Sequence, residues 1–165
     1  MRISPNSKYI AVLFKLKSII NIYKVADGDL MAKIEDTQSG ITTFYWAKDS
    51  AQLLVFSEFM YKVSIYNLVD KQMAYIKAPK INSTKGSTFT SDGKFMALIE
   101  KHDCKDYLSI YFTHGWSMVN SFQLDLFDAV EVRWAPNNSY LVVWDNCINY
   151  RLQVFCHSKG QILKY

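Results

Sequence analysis

The residues of this chain that could do chemistry are three cysteines and three histidines, and their spacing argues against most of it. Cys104, Cys147 and Cys156 share the sequence with His102, His114 and His157. A thiol nucleophile needs a base within hydrogen-bond reach and a third group to orient that base. Cys156 and His157 are consecutive, so at a strand end their side chains point to opposite faces. The loop His102-Asp103-Cys104-Lys105-Asp106 offers a His, a Cys and two Asp to a metal ion. Consecutive residues on a turn cannot all converge on one ion, and structural zinc takes four well-spaced ligands, usually with paired Cys or His. A self-bonded turn that stabilises its strands explains the loop better, with partner contact second. No carboxylates cluster either. The reading is of a non-enzyme with no cofactor and no metal.

Composition points the same way. The chain has 165 residues, is 50% apolar and 21% charged, and is rich in Tyr and Phe, so it can bury a core as one ordinary domain. An odd number of cysteines without CxxC spacing argues against a disulfide framework and fits a reducing compartment. The formal net charge of +4 is mild and its lysines are scattered. A nucleic-acid reader concentrates its basic residues on one face, so nucleic acid is disfavoured as a partner. No apolar run approaches the roughly 20 residues that span a bilayer, so no membrane partner is expected. Met1-Arg2-Ile3 opens directly into the first repeat, which leaves no room for a signal peptide. The sequons Asn82-Ser83-Thr84 and Asn137-Asn138-Ser139 are then chance matches.

The elements that position these residues come from a repeat. A landmark reads Ser4-Pro5-Asn6-Ser7, Ala47-Lys48-Asp49-Ser50, Thr90-Ser91-Asp92-Gly93 and Ala135-Pro136-Asn137-Asn138, at spacings of 43, 43 and 45 residues. A bulky apolar residue precedes each one: Ile3, Trp46, Phe89 and Trp134. A continuous apolar run follows each, as expected of strands covered on both faces. The next strand repeats an apolar-polar-apolar-aromatic order at Ile20–Tyr23, Val63–Tyr66, Leu108–Tyr111 and Leu152–Phe155. Its offset from the landmark is 16, 16, 18 and 17 residues, which predicts a small insertion in the third unit's intervening turn. Turns at Asp27-Gly28-Asp29, Val69-Asp70-Lys71, His114-Gly115 and Lys159-Gly160 lead to outer strands at 30–34, 73–76, 116–122 and 162–165. Inner strands lead back into the landmark at 41–46, 87–89 and 129–134.

A self-similar period of 40–45 residues with four strands per unit is the signature of WD-type propeller blades. The fold class is all-β, a WD-type β-propeller of about four blades, spanning approximately 1–37, 38–80, 81–125 and 126–165. Three inner strands serve four sets of the other three, and both ends look cut from a longer array. The expected whole is therefore a larger, truncated propeller, with a compact four-blade ring as the alternative. Such folds mostly act as platforms for other molecules.

From Tyr75 to Tyr165 the residues resemble one family. The runs Tyr75-Ile76-Lys77-Ala78-Pro79-Lys80, Phe89 to Leu98, Asp103-Cys104-Lys105-Asp106-Tyr107-Leu108-Ser109-Ile110, Trp134-Ala135-Pro136-Asn137 and Val143-Trp144-Asp145 are similar to the centrosomal WD-repeat proteins of the WRAP type, named for lying antisense to a tumour-protein gene. Asp103 to Tyr107 is the most specific stretch, because a WD blade does not require those residues there. The resemblance implies a scaffold at centrosomes, centriolar satellites and spindle poles. It implies a coiled-coil anchoring protein as partner, among other components of the microtubule-organising centre, with roles in minus-end anchoring, spindle assembly and cilium formation. The location implied is the cytoplasm and its cytoskeleton. The chain departs from the general WD pattern in lacking a Gly-His pair and in carrying Trp144-Asp145 on a second strand rather than a third. Divergent blades of this kind are expected to be held mainly by apolar packing. The alternative function is a translation-related propeller that contacts ribosome or RNA, which would release from phosphate at modest added salt.

The candidate interface residues are Phe59, Met60 and Tyr61, with Lys105, Asp106 and Tyr107 on the following blade. Aromatics and Met in a short turn are unusual, because turns favour small polar residues, and interfaces enrich both. The competing expectation is that some of these side chains fold back into the core. Lys62, Lys71, Lys77, Lys80 and Lys85 read as a solvated rim, with contact to an acidic partner as the other possibility. Trp46 and Trp134, at inner-strand ends, read as core.

Overall fold

The computed structural model describes residues 1–60, 62–80, 85–156 and 162–163, with Met60, Ile162 and Leu163 described by backbone alone. Tyr61, the sequon at 82–84, His157 and the turn at Lys159-Gly160 lie outside the described residues. Two compact units, Met1–Lys77 and Ala78–Tyr165, each contain two sheets. Every sheet is four-stranded, antiparallel and in plain sequence order.

In the first unit one sheet comprises β1 (Arg2–Ile3), β2 (Tyr9–Phe14), β3 (Ile19–Lys24) and β4 (Leu30–Glu35). The other comprises β5 (Thr43–Trp46), β6 (Gln52–Phe56), β7 (Lys62–Asn67) and β8 (Met73–Lys77). The second unit holds β9 (Ser87–Phe89), β10 (Phe95–His102), β11 (Lys105–Phe112) and β12 (Ser117–Gln123), then β13 (Ala129–Trp134), β14 (Tyr140–Asp145), β15 (Leu152–Cys156) and β16 (Ile162–Leu163). The first sheet has the inner strand that the sequence reading left out. Arg2 pairs Ala11 and Ile3 pairs Ile10, a two-residue strand too short to leave a periodic trace. Helical geometry among the described residues is confined to single 3-10 turns at Lys15–Lys17 and Glu58–Met60. No helix in them is long and apolar enough to cross a membrane.

The landmark is a turn with one recurring hydrogen-bond pattern. Its fourth residue lies in the left-handed region in all four copies: Ser7 (φ 58°), Ser50 (60°), Gly93 (73°) and Asn138 (58°). That conformation favours Gly and Asn and disfavours branched side chains, which explains the small polar set found there. The fourth N–H donates to the first carbonyl at 2.8, 3.1, 3.0 and 2.9 Å, in chain order. The first N–H reaches across to the carbonyl of Tyr9, Gln52, Phe95 or Tyr140. The third residue, Asn or Asp, accepts a backbone N–H two residues on in every copy, at Lys8, Ala51, Lys94 and Ser139. Neighbouring turns are also tied. Asn6 N–H donates to Ser50 Oγ at 3.0 Å, and in the second unit Ser91 N–H donates to Asn138 Oδ1 at 2.8 Å.

The offset in the third sheet has a different origin from the expected one. Its intervening turn is not lengthened. Asp103 and Cys104, both in the left-handed region (φ 48° and 62°), form a two-residue turn that keeps β10 and β11 paired up to His102 and Lys105. Two consecutive residues of that hand give the tight hairpin matching strand twist. The extra residues therefore extend the strands.

Each unit has its own apolar core. In the first, Ala11, Ile20, Ile22, Phe44, Leu53 and Val55 pack together with Trp46, whose Nε1–H donates to the Arg2 carbonyl at 3.1 Å. In the second, Ile99, Leu108, Ile110, Val132, Leu141, Val143 and Phe155 pack together, with Trp134 half-buried beside them. Burying a Leu, Ile or Phe side chain contributes about 1.5–3 kcal/mol. The expectation that the apolar runs are covered on both faces holds for β6 and β10, where the central residues are all buried. In β14 burial alternates, and in β2 Ala11 alone is fully buried.

Candidate protein-interaction surface

In the first unit, the turn after β6 presents Phe59 to solvent with 94% of its surface exposed, so it is not a core residue. Its backbone is left-handed (φ 57°), a conformation that costs a bulky residue energy. Leu16, on the corresponding turn of the preceding sheet, is likewise fully exposed. Both line a concave pocket of about 880 Å³ with Ser18, Ser39, Gly40 and Glu58. Gly40 suits its left-handed backbone (φ 63°), and a Cβ there would push the Glu58 side chain aside. The loop behind it is pinned. Glu58 N–H donates to the Ser39 carbonyl, Ser39 N–H to Asp36 Oδ1, and Asp36 pairs with Lys62 at 3.1 Å.

In the second unit, Lys105 is exposed, while Tyr107 is half-buried with its ring edge-on to His102. Asp106 is turned inward, with 5% of its surface exposed. It pairs with Lys80 and accepts the Ala129 N–H at 2.9 Å. That placement removes Asp106 from the exposed surface proposed for it, and Lys80 from the solvated rim. Lys80 bridges Asp106 and Asp128, the latter at 2.7 Å, and Asn146 Nδ2–H donates to Asp128 from the other side. The Lys80 ammonium, then the Asn146 amide, hold the Asp128 carboxyl below the usual carboxylate range against the opposing effect of burial. Ion pairs and buried hydrogen bonds thus add to the apolar packing of this unit.

Asp145 extends this arrangement. It is buried at the end of β14 and accepts the N–H groups of Phe127 and Asp128 at 3.0 and 2.6 Å. Trp144-Asp145 thus supplies an acidic anchor although it sits on the second strand. Nearby, Glu100 is buried and accepts hydrogen bonds from Ser109 Oγ–H at 2.7 Å and from the Tyr111 hydroxyl. Burial, and then the adjacent Glu100 carboxylate, push the Tyr111 hydroxyl far above the ordinary phenol range, so it stays a donor. His102 Nε2 lies 3.3 Å from Glu100. Among the described residues no three His, Cys, Asp or Glu side chains come together as metal ligands would.

A second exposed cluster lies outside the residues singled out from the sequence. Ile148 (81% exposed) and Tyr150 (85%) occupy the turn between β14 and β15, beside Phe127 (70%) and Arg151. The signal that singled out Phe59, apolar residues in a turn, was present there too.

No protein-family model matches the chain. It is 30% identical over 152 residues to the WD repeat-containing protein WRAP73 of Mus musculus, an alignment covering 92% of this chain and 33% of that protein. The chain thus spans about a third of the length of the curated relative it matches. Among solved structures, Kuenenia stuttgartiensis hydrazine synthase superposes with a TM-score of 0.71 at 16% identity, covering 98% of this chain and 46% of that one. A functionally unknown protein from Desulfotomaculum acetoxidans DSM 771 superposes at 0.63 and 13% identity, covering 96% and 50%. These structural likenesses show the fold alone. Together with four antiparallel four-stranded sheets on a repeating turn, the sequence likeness supports a WD-repeat protein of propeller-like fold, whose class suggests a protein-interaction scaffold.

Proposed function

We propose that this chain is part of a non-enzymatic WD-repeat scaffold acting at the centrosome and spindle pole, where it supports microtubule minus-end anchoring, spindle assembly and ciliogenesis. Its partner is a coiled-coil protein of the centrosome or its satellites. The likeness to WRAP73 supports the scaffold class. The observation that carries an interface is Phe59, held exposed in a backbone conformation that its side chain disfavours, above a concave pocket whose other rim is Leu16. An exposed aromatic that folding does not call for is the kind of residue that anchors a partner. Lys105 and Tyr107 serve as contacts on the second unit.

The test uses substitutions that the fold tolerates. Asn accepts the left-handed region, so Phe59→Asn relieves the backbone and removes the anchor together. In the full-length protein, Phe59→Asn with Leu16→Ser is expected to abolish spindle-pole recruitment of a fluorescently tagged copy in dividing cells. The melting temperature should hold or rise. Recruitment that survives places the contact elsewhere, and a fall of many degrees in melting temperature makes these residues part of the fold.

A further inference from the structure

We propose that the turn at 145–151 and the loop at 124–128 of the second unit form a docking site for an acidic amphipathic segment of another protein. The segment sets an apolar side chain on Ile148 and Tyr150 and a carboxylate on Arg151.

The surface is preorganised. Four of the loop's N–H groups are taken up. Leu124 donates to the Asp106 carbonyl, Asp125 to Gln153 Oε1, and Phe127 and Asp128 to Asp145. The neighbouring turn is closed by Asn146, whose Oδ1 accepts the N–H groups of Ile148 and Asn149 at 3.0 and 3.2 Å. Asn146 N–H donates across to the Asp128 carbonyl at 3.1 Å, which ties turn to loop. A partner therefore meets a surface with little ordering left to do, and binding loses correspondingly less entropy.

The side chains this frame displays are those that internal packing does not use. Tyr150 is exposed on a left-handed backbone (φ 51°), the same disfavoured pairing seen at Phe59. The Arg151 guanidinium carbon lies 4.6 Å from the Phe127 ring centre, and no carboxylate pairs with it among the described residues. A guanidinium stacked on an aromatic face keeps its in-plane N–H fork free, and that fork matches a carboxylate with two parallel hydrogen bonds. Apolar contact beside an unanswered guanidinium selects an apolar anchor next to Asp or Glu. A polyanion such as RNA is disfavoured, because several phosphates would need neutralising and this surface offers one guanidinium for the purpose.

The experiment is a selection of displayed random 16-residue peptides on the whole chain, depleted on an Arg151→Ala, Ile148→Ser double variant. Enriched peptides are expected to carry Asp or Glu within a few residues of Leu, Phe or Trp. As labelled peptides in anisotropy titrations they should lose about tenfold or more in affinity on Arg151→Ala. Arg151→Lys should fall between, Arg133→Ala should match wild type, and melting temperatures should agree within a few degrees. Should Arg151→Ala lower the melting temperature, Ile148→Ser alone must reproduce the loss on an intact fold. No enrichment over the depleted pool, peptides without an acidic residue, equal affinity for Arg151→Ala, or displacement by a 20-nucleotide single-stranded RNA each overturns the proposal.

Discussion

Among described residues, the first unit buries hydroxyls where the second buries carboxylates. Ser4, Ser50, Ser57 and Ser64 are the buried polar side chains of residues 1–77, whereas residues 78–165 bury Glu100, Asp106 and Asp145 beside Thr90, Ser109 and Gln153. A neutral hydroxyl is satisfied by one or two local partners: Ser57 Oγ accepts the Lys62 N–H and donates to the Lys62 carbonyl. A buried carboxylate costs far more to desolvate and must be answered by charge or by several donors. In the second unit the answers come from Lys80, Tyr111 and the backbone of residues 127–129. One repeat geometry thus accepts two kinds of interior. The first is disturbed by a loss of volume, the second by the loss of a single atom.

The largest expected effect follows from that difference. Asp106→Ala leaves the nearly buried Lys80 ammonium with Asp128 alone and the Ala129 N–H without its acceptor. Breaking a buried pair costs about 3–5 kcal/mol. Urea denaturation followed by hydrogen exchange should show peptides from 78–165 losing protection before those from 1–77. The counterpart in the first unit is Leu53→Ala, a fully buried residue of its apolar cluster. That truncation should cost about 2–5 kcal/mol, with protection lost first in 1–77. Equal loss across both units in either variant would show that they unfold as one body. A smaller effect of opposite sign is expected for Tyr150→Asn, which replaces a mostly exposed side chain with one that suits the left-handed backbone. It should leave stability unchanged or raise it by about 1 kcal/mol, read from the same denaturation curves.

What was legible in the sequence was whatever repeats. The landmark's third and fourth residues announce their turns because an Asn or Asp acceptor and a left-handed residue are needed in every copy. The apolar runs announce the strands for the same reason. β1 escaped because two residues have no period. The Lys80, Asp106 and Asp128 group escaped because pairing across 26 and 48 residues leaves no spacing to read, and an isolated Lys looks like surface. Phe59 was visible as an aromatic in a turn. Its exposure and its backbone conformation were not, and they are what separate an interface anchor from a core residue.

The smallest expected effect sharpens the comparison by pH. Asp128 has its carboxyl held low mainly by Lys80, so its folded value lies below the unfolded one of about 3.9. A depressed carboxylate contributes stability that is fully present above the unfolded value and is lost as pH falls through the folded one. The difference in unfolding free energy between wild type and Asp128→Asn should therefore be constant from neutral pH down to about 5, and should shrink towards zero below about 4. The Asp128 side chain is 49% exposed, so solvent screens the pair and the plateau should stay under about 1 kcal/mol. Asp36 in the first unit is also held low, because the Ser39 N–H and Lys62 outweigh the opposing effect of its burial. Acid will consequently weaken both units, and only the difference curve isolates the second. If that difference persists unchanged at pH 2–3, the contribution of Asp128 is its hydrogen bond to Asn146 rather than its charge against Lys80. The second unit's dependence on paired charge would then rest on Asp106 alone.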